Sequence, residues 1–158
     1  MDSSKININQ IKYYQSNLSY HGKKLLINLP ETNCLNGIEE YFNKYQIRIE
    51  ILNENIYNFF KQLEENNQKH FYKKIDKYKS NLLKENNKYY LLLKLPYRYK
   101  KFEVNVKSST KYLPSIYDVN KDTRIKCTIL ISKLWNVQTD NNDILGGCLM
   151  DVKEIEIM

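Results

Sequence analysis

Several residue types are scarce in this chain of 158 residues, and each scarcity excludes a class of site. There is no alanine, and there are only four glycines and three prolines. A phosphate-binding loop needs several glycines before a Lys-Ser or Lys-Thr pair, and a nucleophilic serine or cysteine needs a tight, glycine-flanked turn. Neither motif occurs, so the sequence offers no common nucleotide-hydrolysing or esterase-type site.

Cysteine and histidine are also too few and too scattered to indicate a metal centre. Cys34, Cys127 and Cys148 are odd in number and widely spaced, which argues against a disulfide framework and against a zinc knuckle. His21 and His70 have no spacing relation to each other or to the cysteines. We therefore expect reduced cysteines, no bound metal and no cofactor.

No stretch of the chain approaches the roughly 20 apolar residues that a membrane-spanning helix needs. The first residues, Met1-Asp-Ser-Ser, lack the basic start and apolar block of a signal peptide. We therefore expect no membrane partner and a cytoplasmic location.

Basic charge is abundant and unevenly placed. The chain holds 22 Lys against 3 Arg, with 20 Asn and 14 Tyr, which is the codon usage of an AT-rich genome and explains part of the excess. Residues 69–111, however, contain 13 basic and 3 acidic residues, a balance of +10, whereas the rest contains 12 basic and 15 acidic residues, a balance of −3. Codon usage does not segregate charge in this way, so the pattern predicts a basic face.

The first third of the chain predicts strands. A weak strand is expected at 8–14, a second at 24–29 that Pro30 ends, and a third at 46–51 in which Ile47, Ile49 and Ile51 alternate toward the core. Between the last two, residues 33–37 predict a turn in which Gly37 takes positive φ, followed by a short helical turn.

The middle third predicts helix. Apolar residues recur every three or four positions, and they are Ile56, Phe59, Phe60, Leu63, Phe71, Ile75, Tyr78 and Leu82. Asn53 or Asn55 is suited to cap the start, and the polar run 64–67 interrupts the stripe. We predict two helices or one kinked helix over about 55–83, with the lysines of this segment on a solvated face.

The last third returns to strands, expected at 89–95, 102–106, 123–135 and 148–157, with a turn at 141–147. In the long strand Ile125, Cys127, Ile129 and Ile131 should face inward. Seven or eight strands with a helical insertion at about 54–86 favour a mainly β, α+β fold: an antiparallel barrel like the oligonucleotide-binding (OB) fold, in one domain over 1–158.

Residues 88–102 join a strand to a run that mixes rings and cations. Pro96 should end the strand, because it cannot donate a ladder hydrogen bond. Rings stack on bases and cations neutralise phosphates, so the run predicts a single-strand nucleic-acid surface. The candidate stacking rings are Tyr97, Tyr99 and Phe102, and the candidate phosphate contacts are Lys94, Arg98, Lys100, Lys101 and Lys107. Arg124 and Lys126 are the candidates for a second basic row across the groove.

Each candidate ring has a competing role in the core: for Tyr97 and Tyr99, in the loop after Pro96, packing and stacking are equally favoured, whereas Phe102 and Trp135 favour packing. Phe102 begins an alternating strand, and Trp135 shares the parity of Ile129 and Ile131, so packing inside the barrel is the favoured interpretation of both. Stacking at the groove is the alternative for Trp135, because its strand ends there.

The order of these features resembles a known class of protein. It comprises a strand ending Asn28-Leu-Pro30, a Gly37 turn, an alternating strand, a helical insertion, Leu93-Lys-Leu-Pro-Tyr97, and a long strand ending Leu134-Trp135 before Leu145-Gly-Gly-Cys148. It is similar to the OB-fold single-stranded DNA-binding proteins of large cytoplasmic DNA viruses and of the cytoplasmic linear DNA plasmids of yeasts. The resemblance implies sequence-independent binding that protects and organises single strands during replication, with replication proteins such as DNA polymerase as possible partners.

Other functions remain open from the sequence. A basic structural or transcription-complex subunit would use the same charge without stacking bases. Glu154 and Glu156 alternate on a strand and, if they pointed into a barrel, would suggest a metal-dependent RNA triphosphatase, although a second such pair is lacking. The sequence does not choose between DNA and RNA, and an exposed terminal strand at 148–157 could form a homo-oligomer.

Overall fold

The computed structural model describes residues 1–158. It contains thirteen strands, one α-helix, α1 (Glu54–Gln68), and three 3-10 turns (Ser3–Lys5, Ile8–Gln10, Ile116–Asp118). The strands in chain order are β1 (Ile11–Tyr14), β2 (Asn17–Tyr20), β3 (Leu25–Asn28), β4 (Thr32–Tyr41), β5 (Lys44–Glu50), β6 (Lys77–Lys79), β7 (Leu82–Glu85), β8 (Lys88–Leu95), β9 (Tyr97–Arg98), β10 (Lys101–Phe102), β11 (Asn105–Ser108), β12 (Arg124–Gln138) and β13 (Ile144–Ile157).

Five of the strands form a barrel. β4 pairs with β5, β5 with β8, β8 with β13, β13 with β12, and β12 returns to β4 through Arg124–Asn33 and Ile125–Thr32. All of these pairings are antiparallel except β8 with β13. A five-stranded barrel in this order is the OB arrangement. The predicted fold class, a mainly β OB-like barrel with a helical insertion, is confirmed.

Alternating apolar residues fill the barrel. Ile47 and Ile49 on β5 are buried, and on β8 the residues Leu91, Leu93 and Leu95 are enclosed. On β12 the predicted inward residues Ile125, Cys127, Ile129 and Ile131 are all buried. Successive side chains on a strand point to opposite faces, so one face of each barrel strand contributes to the 28-residue core, to which α1 and the loops also contribute.

Helix α1 begins where the sequence predicts. The Asn53 side chain accepts a hydrogen bond from the Asn55 N–H at 2.7 Å, which satisfies one of the free donors at the helix start. Phe59, Phe60 and Leu63 form its buried face. Neither α1 nor any other helical segment has the length and apolar character that crossing a bilayer requires.

The helical prediction for residues 69–83 is wrong. After α1 ends at Gln68 the chain forms a loop and then the short strands β6 and β7, which pair with β13 and β8. Asp76 fixes the loop, because its N–H donates to the Ile144 carbonyl and its carboxylate accepts from the Ile144 N–H. Phe71 and Ile75 lie close against Gly146. Phe71 and Ile75 are therefore spaced as on a helix because both are loop residues that pack on the same strand.

The predicted turn at 33–37 and the helical turn after it are also wrong. These residues belong to β4, in which the register shifts between Cys34 and Ile38, and Gly37 has a φ of +72° within this irregularity. The reversal of the chain comes later, at Phe42 and Asn43, which both have positive φ. Positive φ at both central residues is the geometry of a tight hairpin turn.

Three predicted elements near the C-terminus have different bounds. Gly146 and Gly147 lie inside β13, because the turn from β12 occupies residues 139–143. The strand expected at 102–106 is divided between β10 and β11. The terminal strand β13 is not an exposed edge strand, because β12 lies along one side and β6, β8 and β11 pair with parts of the other.

Two glycines with similar positive φ angles provide a test of the bulge in β4. Gly22 (φ +74°) has open space around a would-be Cβ, whereas a Cβ at Gly37 (φ +72°) would stand 2.8 Å from the Val119 carbonyl oxygen. We expect Gly22→Ala to lower the free energy of unfolding by about 1 kcal/mol through backbone strain alone. Gly37→Ala should lower it by about 3 kcal/mol, because the contact with backbone adds to the strain. Urea unfolding of both variants measures this, and equal losses would contradict the packing of residues 119–120 on β4.

Candidate nucleic-acid interface

The barrel has a weak seam between β8 and β13. The two strands pair only at Lys94 and Asp151, and β6 pairs with β13 at residues 145–147. Residues 148–150 of β13 therefore have no strand partner on this side, and a cleft of about 160 Å³ opens there. We call it the seam cleft. Its lining side chains include Lys44, Tyr45, Lys79, Lys94, Trp135 and Leu149.

Trp135 lies in the seam cleft and not in the barrel core. The register between β12 and β13 shifts between Thr128 and Ile129 and again between Ile131 and Lys133. The second shift reverses the parity of the strand, so Leu134 is buried and Trp135 faces outward. The interpretation that placed Trp135 inside with Ile129 and Ile131 is wrong for this reason.

A glycine allows the indole of Trp135 to lie flat against β13. Trp135 is paired with Gly147, and a Cβ at Gly147 would stand 2.6 Å from Cζ2 and 2.7 Å from Cε2 of the indole. Any residue larger than glycine would displace the ring. The indole is only partly buried, so this arrangement leaves ring surface accessible for stacking.

Lysines without acidic partners surround the indole. In the strand register, Lys79 on β6 lies opposite Gly147, Lys133 on β12 lies opposite Leu149, and Lys94 on β8 lies opposite Asp151. Lys44 stands at the start of β5 and lines the same cleft. All four are exposed, and none has an acidic oxygen within 4.0 Å. Unneutralised cations beside an accessible ring are suited to bind phosphate and base together.

Helix α1 fixes one edge of the cleft through Glu64. This buried carboxylate accepts hydrogen bonds from the Ser80 hydroxyl and, at 2.8 Å, from the Asn81 N–H. Burial raises the pKa of Glu64, and these two hydrogen bonds oppose that change. Ser80 and Asn81 directly follow Lys79, so Glu64 holds the segment that presents this lysine.

A small hairpin formed by β9 and β10 stands beside the cleft; we call residues 97–102 the tyrosine hairpin. Tyr97 and Phe102 lie across from each other with ring centroids 4.9 Å apart, and each ring centroid is 4.8 Å from that of Tyr45. The ring centroid of Tyr117 lies 5.9 Å from that of Phe102. Because Tyr45 also lines the seam cleft, it belongs both to the cleft and to the aromatic cluster of the hairpin.

The turn of the tyrosine hairpin presents its residues to solvent. Tyr99 and Lys100 have φ angles of +52° and +63°, and the Tyr99 side chain is 94% exposed. Lys101 is also exposed, and Arg98 has only a long contact of 3.8 Å with Glu103. Phe102 is partly buried in the aromatic cluster and packs against the edge of the core, which agrees with its predicted packing role.

The structure thus brings together eight of the predicted site residues, namely Lys94, Tyr97, Arg98, Tyr99, Lys100, Lys101, Phe102 and Trp135. The other three lie toward the far end of β13. In the strand register, Lys107 and Lys126 both lie opposite Glu156. The Lys107 Nζ lies 3.2 Å from a carboxylate oxygen of Glu154, and the Arg124 Nε lies 2.6 Å from a carboxylate oxygen of Glu31. Gly147 and Glu156 are nine residues apart on β13, about 30 Å. The second basic row therefore does not face the hairpin across a groove, because Lys126 and Arg124 lie toward the opposite end of β13, where Arg124 forms an ion pair with Glu31.

The sequence analysis missed Lys44, Tyr45, Lys79, Lys133 and Tyr117. Tyr45 and Lys44 begin the well-predicted alternating strand β5, so its first residues were a usable signal. Lys79 lies in the segment predicted to be helical, and only the parallel pairing of β6 with β13 brings it opposite Gly147, the residue under the indole of Trp135. No local pattern contains that information.

The glutamate pair considered for metal catalysis faces away from the barrel interior. Ile155 and Ile157 are the buried residues at this end of β13, so Glu154 and Glu156 point outward toward Lys107 and Lys126. No group of three or more His, Cys, Asp or Glu side chains is arranged to hold a metal ion. The feature that suggested a triphosphatase is therefore a charge-balanced surface.

Comparison with known proteins gives one structural likeness. No protein-family profile and no curated protein sequence matches this chain. Among solved structures, the fold is similar to that of a single-stranded DNA-binding protein from bacteriophage Enc34, with a TM-score of 0.53. The two share 10% sequence identity over 92% of this chain and 86% of that chain. At this identity the likeness shows a shared fold.

The contact between Trp135 and Gly147 has a direct spectroscopic test, because Trp135 is the sole tryptophan. Gly147→Ala should move the indole outward, shift its emission to longer wavelength and lower the free energy of unfolding by about 2 kcal/mol. Gly146→Ala is the matched control: its Cβ would meet Phe71 and Ile75, not Trp135, at 2.7 and 2.8 Å. The control should destabilise the protein to a similar extent with unchanged emission, and the same emission shift in both variants would contradict the placement of the indole.

Proposed function

We propose that this protein binds single-stranded DNA without sequence preference. The observation that carries the proposal is the seam cleft, where the indole of Trp135 lies flat on Gly147, on the same side of the sheet as Lys79, Lys94 and Lys133, which form no ion pair. Base stacking is worth roughly 1–3 kcal/mol per base and needs no particular base, because every base has a π-face. The lysines supply the complementary phosphate contacts.

The position of the cleft on the barrel supports this proposal. OB folds bind oligonucleotides on the face of their second and third strands and with the adjoining loops. Here those strands are β5 and β8, which carry Lys44, Tyr45 and Lys94. The protein of bacteriophage Enc34 whose fold is similar bears the name of a single-stranded DNA-binding protein, which supports the same function.

We further propose that the bound strands are replication intermediates, which the protein protects and organises in the cytoplasm, with replication proteins such as DNA polymerase as possible partners. The resemblance noted in the sequence supports this role. Charge-only binding is the competing function, and the two differ physically. Charge alone accepts duplex and single strand alike, whereas stacking on Trp135 requires unpaired bases.

Fluorescence anisotropy with a labelled oligonucleotide of about 30 nucleotides tests the proposal. We expect tight binding to single-stranded DNA, weak binding to duplex, and quenching of the Trp135 emission on binding. If about four phosphates are neutralised, log affinity should fall with log salt at a slope of about −3, or roughly fiftyfold between about 50 and 200 mM salt. Equal affinity for duplex, with no quenching, would favour the charge-only function. A parallel titration with RNA of the same sequence measures the preference between the two nucleic acids.

Paired lysine variants separate the seam cleft from the rest of the basic surface. Lys79→Ala with Lys94→Ala should reduce the salt slope by about 1.4, because each phosphate contact contributes about 0.7 for single strands. Lys107→Ala with Lys126→Ala removes the same charge beside Glu156 and should leave affinity and slope nearly unchanged. A larger effect from the second pair would place the interface at the glutamate end of β13.

Trp135→Leu separates stacking from charge. It should weaken binding roughly tenfold, consistent with about 1.4 kcal/mol of stacking, while the salt slope stays the same. Thermal unfolding of the variant checks that the barrel is intact. Unchanged affinity in a folded variant would remove Trp135 from the interface.

A further inference from the structure

An acidic residue, Asp151, stands among the cations of the proposed interface. It lies on β13, opposite Lys94 on β8 and Leu130 on β12, at the one point where the seam is closed. The positive charges that act on its carboxylate come from three neighbouring strands and from β13 itself: Lys94 on β8, Lys133 on β12, Arg98 on β9 and Lys153 on β13.

The carboxylate of Asp151 is poorly satisfied. Its Oδ1 atom is enclosed and has no hydrogen-bond partner, and none of the four cations approaches within 4.0 Å. A buried polar atom without a partner normally destabilises a fold. Asp151 is therefore not explained by a structural ion pair or by a hydrogen bond that holds the barrel together.

The location of Asp151 gives it an effect on any bound strand. Trp135 pairs with Gly147, and Asp151 is four residues further along β13, about 13 Å away. Tyr97 and Arg98 of the tyrosine hairpin follow β8 just beyond Lys94, the partner of Asp151. A strand of nucleotides that runs from Trp135 to the hairpin must bring phosphates to Lys94 and Lys133, and thus close to this carboxylate.

We propose that Asp151 is a built-in brake on this surface: its charge repels the phosphates that its basic neighbours attract, so binding of single-stranded DNA favours the protonated form of Asp151. The inference rests on the proposed function. Its physical consequence is a lower affinity at neutral pH, and hence easier release, than the lysines alone would give.

The direction of the pH dependence follows from the surroundings of Asp151. Burial raises the pKa of this carboxyl above the ordinary aspartate value, against the opposing effect of Lys94, Lys153, Lys133 and Arg98. A phosphate brought close would raise the pKa further, because it is a second negative charge. The bound state therefore holds the proton more tightly, and affinity increases as pH falls through this range.

The test compares three versions of the full chain: the natural protein, Asp151→Asn, and Glu65→Gln as a control. Both substitutions remove one negative charge and so raise the net charge of the protein by one. Glu65 is an exposed residue of α1 outside the cleft. Anisotropy with a single-stranded oligonucleotide would be measured at low salt between about pH 4.5 and about pH 7.5. Thermal unfolding confirms that each variant is folded, and the amide of Asn keeps the shape of the carboxylate.

We expect Asp151→Asn to bind about fivefold to tenfold more tightly at neutral pH, and Glu65→Gln to change affinity less than twofold. The natural protein and Glu65→Gln should bind more tightly as pH falls, whereas Asp151→Asn should lose most of this dependence. Equal affinities, weaker binding by Asp151→Asn, or an unchanged pH dependence would each overturn the brake. Failure of all three proteins to bind single strands at any pH would instead overturn the proposed function.

Discussion

The pairing of β12 with β13 is the constraint on which the rest of this fold depends. It runs from Ile125–Ile157 to Gln138–Ile144, and β2, β3, β4, β6, β8 and β11 each also pair with one of these two strands. β13 pairs with β12 along one side and, in succession, with β6, β8 and β11 along the other. Because the second side is divided among three short partners, it leaves the gap that becomes the seam cleft. The candidate interface is thus a consequence of incomplete pairing along one strand.

The two bulges in this pairing decide which side chains reach the interface. Without the shift between Ile131 and Lys133, Trp135 would keep the parity of Ile129 and Ile131 and would enter the barrel. With it, the indole faces outward, where Gly147 leaves room for the ring. Bulges reorient side chains at the cost of local ladder hydrogen bonds, and they recur next to functional sites. Alternation in sequence predicts the strand, but it does not reveal where a bulge changes the face.

The sequence predicted those parts of the fold whose signals are local. The alternation in β5 and in the first part of β12, the cap at Asn53 and the strand stop at Pro30 each depend on a few neighbouring residues. The segment after α1 was mispredicted because Phe71 and Ile75 pack on Gly146, more than 70 residues away, with a spacing that a helix would also produce. The site divides in the same way. The residues of the tyrosine hairpin are contiguous in sequence, and all of them are among the sequence-predicted candidates, whereas Lys79, Lys133 and Trp135 meet only through strand pairing.

The charges show why a local excess of basic residues is an incomplete guide to a binding face. Lys107 and Arg124 looked equivalent to Lys94 in the sequence, but each of them forms an ion pair with a glutamate, and Lys126 lies opposite Glu156 in the strand register. The lysines around Trp135 have no such partner within ion-pair distance, and the nearby acid, Asp151, is held among four cations. An exposed ion pair contributes little to stability, yet it removes a charge that a phosphate could otherwise use. The two ends of β13 differ in whether their cations form ion pairs, and not in the number of cations. The proposed interface lies at the end where the lysines form no ion pairs and the indole of Trp135 is partly exposed.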